Sequence, residues 1–452
     1  MQNINRISNT YLTRTKWLRS LAFGMAALSV NGMLAQSTAL AEGMNALFRT
    51  AEVNNTSVKA YRTAMEKAEQ DIEVAKAQRL PDVKTSLAFS YIGNAQLWNR
   101  HFGDFINGSM PHFGNNFSLT AQQVLYSGGA ITSGIHLAEL GRDMETLNDE
   151  GNRRAVRLLV AQLYLQQHSL MSRARVIDSN IALADTLLLR TRDRYEEGVV
   201  LKNDITRYEL MREQMTLQKT VVENQMSIVK KQLMTALAPA SGQASYSMLP
   251  DNAFDFTLTQ GEDYWQQLAL TANNDLKKAE TAVSISEKQE KLTRSALLPK
   301  VALVAEDHLD GPILTEVPPI NKNLNYWFVG VGVSYDISSL YKSKKKIRSA
   351  ATATAQARQQ YQVATEGISD GIHAAYVGLK TAQTELLTRK KSMELAVENY
   401  QVVANRYHEG LAMVTDMTDA ANVRLDAEQQ YAEARIAVAA ALYQLKYIAG
   451  DI

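Results

Sequence analysis

The sequence predicts a mainly α protein with membrane β-structure, built from two copies of one unit that carries a long antiparallel coiled helical hairpin and two β-strands. Internal repetition is the first reason. The string from Arg194 to Asp204, RYEEGVVLKND, returns as RYHEGLAMVTD from Arg406 to Asp416 at an offset of 212 (406 − 194), and Tyr164 returns as Tyr376 at the same step. Leu80-Pro81 returns as Leu298-Pro299 at an offset of 218 (298 − 80), so the copies differ in length between the proline and the motif. Repetition on this scale describes two supersecondary units related by pseudo-symmetry. The second reason is where proline falls: positions 112–238 and 320–452 contain none. Those tracts are rich in Ala, Leu, Glu, Gln, Arg and Lys, which lose least on entering a helix. The third is strict alternation over runs of about ten residues, the length and period of a membrane-spanning β-strand.

Taken in chain order, the N-terminus carries Arg6, Arg14, Lys16 and Arg19, an apolar stretch from Leu18 to about Leu34, and small-residue sites at Met33-Leu34-Ala35 and Ala39-Leu40-Ala41. That pattern predicts a secretory signal peptide over residues 1–41. No later segment offers 18 uninterrupted apolar residues, so the rest of the chain is expected to leave the cytoplasm without a spanning helix. The first repeat is expected over 42–238. It opens with a helical tract from Leu47 to Arg79, ended at Leu80-Pro81 because the residue before proline is pushed out of the α region. From Val83 to Ile92 the odd positions Val83, Leu87, Phe89 and Tyr91 oppose Lys84, Ser86 and Ser90, which is a strand. A loop containing Gly93, Gly103, Gly108, Pro111 and Gly114 follows, then a second strand with Phe117, Leu119, Ala121, Gln123 and Leu125 on one face. Ser127-Gly128-Gly129 turns the chain into a helix expected from about Ile131 to Tyr195.

A joining segment is expected over 239–262 and the second repeat over 263–452. Its helix from about Tyr264 ends at Leu298-Pro299, and strands are expected from Lys300 to about His308 and from Tyr326 to Asp336. In the last strand Trp327, Val329, Val331, Val333 and Tyr335 oppose Gly330, Gly332 and Ser334, large side chains outward and small ones inward. A further long helix is expected from about Lys346 to Tyr407. At about 1.5 Å per residue, either long tract would measure on the order of 90 Å, more than an ordinary domain core holds. Gly198 and Gly410 interrupt the tracts, so both copies are expected to fold back as hairpins that turn at RYxEG, with the glycine in the left-handed cap. Asp204 and Thr415 or Asp416 then stand where the returning helix wants an N-cap or an acidic first turn.

Strand counting sets the assembly. Four strands per chain cannot close a membrane barrel, which needs at least eight. Two chains give eight and three give twelve; twelve is favoured, because an eight-stranded lumen is filled by its own side chains.

Composition removes several classes of function. The net charge of +1, with both signs interspersed, gives no polyelectrolyte surface for nucleic acid. The basic cluster Lys342, Lys344, Lys345, Lys346 and Arg348 reads as a strand-to-helix boundary beside a membrane. With no cysteine there are no disulfides, thiolate metal sites or cysteine nucleophiles. The seven histidines show no metal spacing, and no phosphate-binding GxxxxGK[ST] loop is present, so no cofactor, metal or catalytic residue is expected and the chain cannot energise transport itself.

The signal peptide, the Leu-Pro marker before each strand pair, the strand-turn SGG, and the paired Tyr-x-x-Gly turns each followed six residues later by Asp resemble the TolC-like family of bacterial outer-membrane efflux proteins, over about Glu42 to Ile452. The resemblance implies a homotrimer in the outer membrane, with a twelve-stranded barrel continued by an α-helical tunnel through the periplasm. It implies a passive exit duct of a tripartite efflux system, not an enzyme, served by a periplasmic adaptor and an inner-membrane pump. It implies that the hairpin turns meet the adaptor through Tyr195, Gly198, Val199, Gly410 and Leu411. A periplasmic gate would be formed by Asp416, Asp419, Asp204 and Tyr407, with Tyr407 bonded to Asp204 of a neighbouring hairpin. Where some relatives carry Arg two residues after the second glycine, this chain has Ala412. A type I protein-secretion duct is the alternative within the class; a coiled-coil protein without a pore is the alternative outside it.

Overall fold

A computed structural model describes residues 38–238, 260–316 and 318–452, with side chains from Gly43 onward. The expected signal peptide, and the joining segment as far as residue 259, therefore lie outside the described residues but for a few helical positions from Thr38 on. In chain order the elements are α1 (Thr38–Asn54), α2 (Thr56–Ala77), β1 (Asp82–Tyr91), β2 (Ala95–Trp98), β3 (Phe105–Gly108), β4 (Phe113–Tyr126), α3 (Ala130–Glu196) and α4 (Lys202–Leu237). The second repeat gives α5 (Glu262–Ala272), α6 (Asn274–Ser295), β5 (Lys300–Gly311), β6 (Leu324–Ser334), α7 (Ser339–His408) and α8 (Val414–Ala449). Two compact units are formed, one from residues 38–60, 150–238, 260–274 and 365–452, the other from 61–149, 275–316 and 318–364. Each unit draws on both repeats.

The second unit contains a four-stranded antiparallel sheet in the order β1-β4-β5-β6, with β1 and β6 at its edges. Register fixes its two faces, because directly opposed residues share a side. Leu87 opposes Phe117, Phe117 opposes Leu309, Ala305 opposes Val329 and Leu303 opposes Val331; this face is mostly apolar, with Leu87, Leu303, Val329 and Val331 exposed, and the one carboxylate that the register places on it, Asp307, accepts from Asn325 Nδ2 at 2.9 Å. On the other face Ser86 meets Ser118 at 2.9 Å, Asn116 bonds Asp310, and His308 meets Glu306 at 2.9 Å, while on β6 Tyr326 and Phe328 give way to Gly330 and Gly332, which leave the second half of the strand without bulk. Aromatic residues stand toward both ends of the apolar face, with Tyr91 and Phe113 at one end and Tyr126 and Tyr335 near the other, while Trp327 lies between at the level of Leu119. The helices of this unit bury Ala68, Ile72, Ile135, Leu276 and Ala357, and add polar contacts: Arg358 pairs with Glu287 at 2.7 Å and the Thr354 hydroxyl donates to the Ser286 carbonyl at 3.3 Å.

The first unit holds the larger apolar core. Residues of α1, α3, α4 and α8, with Val58 of α2 and Tyr400 and Tyr407 from α7, form one cluster; Trp265 and Ala269 of α5 pack with Ile372 and Leu379 of α7 and Leu442 and Leu445 of α8 in a second. At about 1.5 Å per residue, the 67 residues of α3 and the 70 of α7 amount to about 100 Å of helix each. No described helix is long and apolar enough to cross a membrane.

The structure corrects several expectations. Neither helical tract before a Leu-Pro marker is continuous. Asn55 breaks the first: its Oδ1 accepts from the Ser57 N–H at 2.8 Å as an N-cap, and its Nδ2 donates to the Ala236 carbonyl at 2.8 Å, satisfying the end of α4. Asn273 breaks the second and donates to the Ile448 carbonyl at 2.8 Å near the end of α8. These are twin devices, since Asn55 and Asn273 share the 218 offset and Ala236 and Ile448 the 212 offset. The glycine-containing loop after β1 folds into the β2–β3 hairpin, with Trp98 and Phe105 rings 4.9 Å apart. In the second repeat β5 runs on to Gly311, and β6 begins and ends two residues early. The early end follows from Asp336, whose Oδ1 accepts from the Ser338 N–H at 2.9 Å and hydroxyl at 2.7 Å. Those bonds hold the Asp336 carboxyl below its ordinary range and start α7 at Ser339 rather than Lys346.

Candidate functional site

The hairpin tips are built by the repeated motif. In each copy the last turn of the long helix closes as a Schellman motif. The Val199 N–H bonds the Arg194 carbonyl at 2.9 Å and the Gly198 N–H the Tyr195 carbonyl at 2.9 Å; the second copy matches with Leu411 to Arg406 at 2.8 Å and Gly410 to Tyr407 at 3.1 Å. Gly198 and Gly410 sit at φ +74° and +76°, a region that other L-residues enter only with strain, which is why glycine recurs there. The turns leave Val199, Leu201, Leu411 and Met413 exposed, an apolar pair at each tip.

Asp204 and Asp416 occupy the third position of the returning helices. The Asp204 carboxylate accepts from the Leu201 N–H at 3.1 Å and that of Asp416 from the Met413 N–H at 2.9 Å. Neither Leu201 nor Met413 returns a bond from its side chain, so each is half a capping box. Asp419 lies one turn further along α8 and is exposed. Its equivalent in the first repeat is Arg207 (419 − 212), so the acid at this level belongs to the second repeat only.

Tyr407 does not bond Asp204 within the protomer. It is 6 % exposed and lies in the core beside Tyr208; neither hydroxyl completes a hydrogen bond. Burial, and after it the neighbouring Tyr407, pushes the Tyr208 phenol above its ordinary value. Within the protomer the Asp204 carboxylate is turned back on Leu201, while Tyr407 is held by Arg194 of the first repeat. The Arg194 guanidinium lies 5.4 Å from the Tyr407 ring centre and donates to its carbonyl at 3.5 Å, and Arg190 Nη1 meets His408 Nε2 at 3.0 Å. Sequence reasoning missed these two arginines. The repeat itself carried a signal, because it duplicates Arg194 along with the tyrosine and glycine. Among the described residues no group of three or more acidic or histidine side chains is placed to hold a metal ion.

Comparison with known proteins agrees with this architecture. The sequence matches the outer membrane efflux protein family over residues 47–238 and 265–451, and the chain belongs to that family. It is an outer membrane efflux protein, and the solved structures that share its fold include proteins described as outer-membrane channels. Similar solved structures include CusC (TM-score 0.77, 13 % identity, 90 % of this chain and 92 % of that one) and the outer-membrane channel OprN (0.74, 15 %, 91 % and 90 %). The CmeC outer membrane channel of Campylobacter jejuni is a third (0.72, 16 %, 91 % and 86 %). No curated protein sequence matches the chain.

Proposed function

We propose that three copies of this chain form the outer-membrane exit duct of a tripartite efflux system, conducting substrate passively from a periplasmic adaptor and inner-membrane pump to the exterior. The observation that carries the reading is the sheet of the second unit. It has one mostly apolar face, largely exposed along β6, an opposite face that gathers most of the sheet's polar side chains, and two unpaired edges, β1 and β6. A sheet so segregated suits lipid on one side and a water-filled lumen on the other, and open edges are not tolerated in hydrocarbon. With four antiparallel strands in the order β1-β4-β5-β6, β6 of one copy meets β1 of the next in the antiparallel sense, and three copies close twelve strands.

At the tips, the apolar pairs Val199/Leu201 and Leu411/Met413, with Tyr195 and the glycine turns at Gly198 and Gly410, form the adaptor-docking surface. Asp416 and Asp419 line the opening as rings of three carboxylates, with Asp204 and Tyr407 behind them as supports. Like charges so gathered favour cations. Single-channel recording of the Asp416→Asn/Asp419→Asn double variant tests the gate: divalent cations are expected to block the parent and to lose most of that block in the variant. Equal block of both removes the aspartate rings from the reading. The mass of the detergent-extracted protein tests the duct itself, and a monomer released from membranes by salt alone would reject it.

A further inference from the structure

We infer that in the assembled trimer Arg406 of one copy stacks on Tyr195 of the next, repeating across the protomer boundary the contact that Arg194 and Tyr407 make inside each chain. This rests on the trimeric duct reading above. Within one chain, Arg194 over Tyr407 at 5.4 Å and Arg190 against His408 at 3.0 Å tie the end of α3, in the first repeat, to the end of α7, in the second. Arg194 and Tyr195 are the repeat equivalents of Arg406 and Tyr407 at the 212 offset. A contact from the first repeat's arginine to the second repeat's tyrosine therefore uses half of each pair. The other half, Arg406 and Tyr195, remains exposed. Tyr195 is 44 % exposed where Tyr407 is 6 %, and among the described residues no hydrogen bond, ion pair or ring contact engages the Arg406 guanidinium or the Tyr195 ring.

The backbone that carries both unused side chains is fixed. Each belongs to a Schellman turn with the same bonds and nearly the same glycine φ as its twin. Two repeats packed side by side, closed into a ring by rotation, meet again in the reverse order at every subunit boundary. The arginine cation and the tyrosine face are complementary there, as they are inside the chain.

The boundary junction is weaker than the internal one. The equivalents of Arg190 and His408 are Val402 and Glu196, so the second arm of the internal clamp has no counterpart between chains. The ring of tips is built to part between protomers and to hold within them.

The absence of cysteine from the chain permits a clean test. The full-length double variant Tyr195→Cys/Arg406→Cys, treated in native membranes with a short bismaleimide, is expected to yield covalent dimers and trimers at least tenfold above either single variant. Native mass of the same preparation is read alongside. A trimeric mass without that interchain product overturns the contact and leaves the duct reading standing, as does equal product from a single variant. A monomeric mass overturns both.

Discussion

Tyr208 and Tyr407 place two phenol hydroxyls in the helical core without completing a hydrogen bond. Removing a hydroxyl that has no partner forfeits no bond, so Tyr208→Phe is expected to change stability by less than about 1 kcal/mol in thermal unfolding of the extracted protein. A loss above about 2 kcal/mol would mean that the hydroxyl has a partner. The same substitution has a pH signature. Burial raises the Tyr208 ionisation in the folded state, while the unfolded phenol ionises near its ordinary value of about 10. Stability is thus complete below that pH and declines as pH rises above it, and Tyr208→Phe should flatten part of the alkaline limb. At this scale the sequence reads well where chemistry is local. Gly198, Gly410, Asp204 and Asp416 act within five residues of themselves, and spacing alone locates them in a turn and a first helical turn. Tyr407 was not legible in the same way, because its partners Arg194 and Tyr208 come from the other repeat and only packing brings them together.

Asn55 and Asn273 each join two helices and satisfy the end of a third element. Replacing either with Ala removes that carbonyl bond, and at Asn55 a cap as well, an expected loss of about 1–3 kcal/mol apiece. Differential scanning calorimetry of the two single variants and the double variant measures this. A double variant no worse than one single variant would mean that the two sites act as one. The paired Asn54-Asn55 and Asn273-Asn274 hinted at these breaks, yet helical composition on both sides outweighed a lone cap signal. The β2–β3 hairpin escaped for a different reason: its strands are four residues long, too short for alternation to register against the surrounding glycines. Val at Gly198 or Gly410 forces a β-branched residue to positive φ, at a cost of about 1–2 kcal/mol. Such variants should cross-link poorly to the adaptor while keeping their trimeric mass; unchanged cross-linking would separate the turns from docking.

The molecule as a whole is organised by which surfaces stay uncovered in one chain. Val331 lies on the exposed apolar face of β6, and the neighbouring Gly330, with open space around it, lies on the polar face. Val331→Arg puts a charge against lipid at about 2–4 kcal/mol. It should sharply reduce the membrane-inserted fraction, whereas Gly330→Ser should insert normally. Equal insertion would exchange the faces. The unpaired edges of β1 and β6 carry a consequence of their own. A barrel finished only by neighbours has a stability that depends on how many copies are present, and a single copy that can pair on one side but not the other spoils every ring it joins. If chains with a proline-blocked β6 were made in equal amount to intact ones, only about one ring in eight would be free of them by random mixing. Loss of function would be dominant in a mixed population, set by the cube of the intact fraction rather than by its first power.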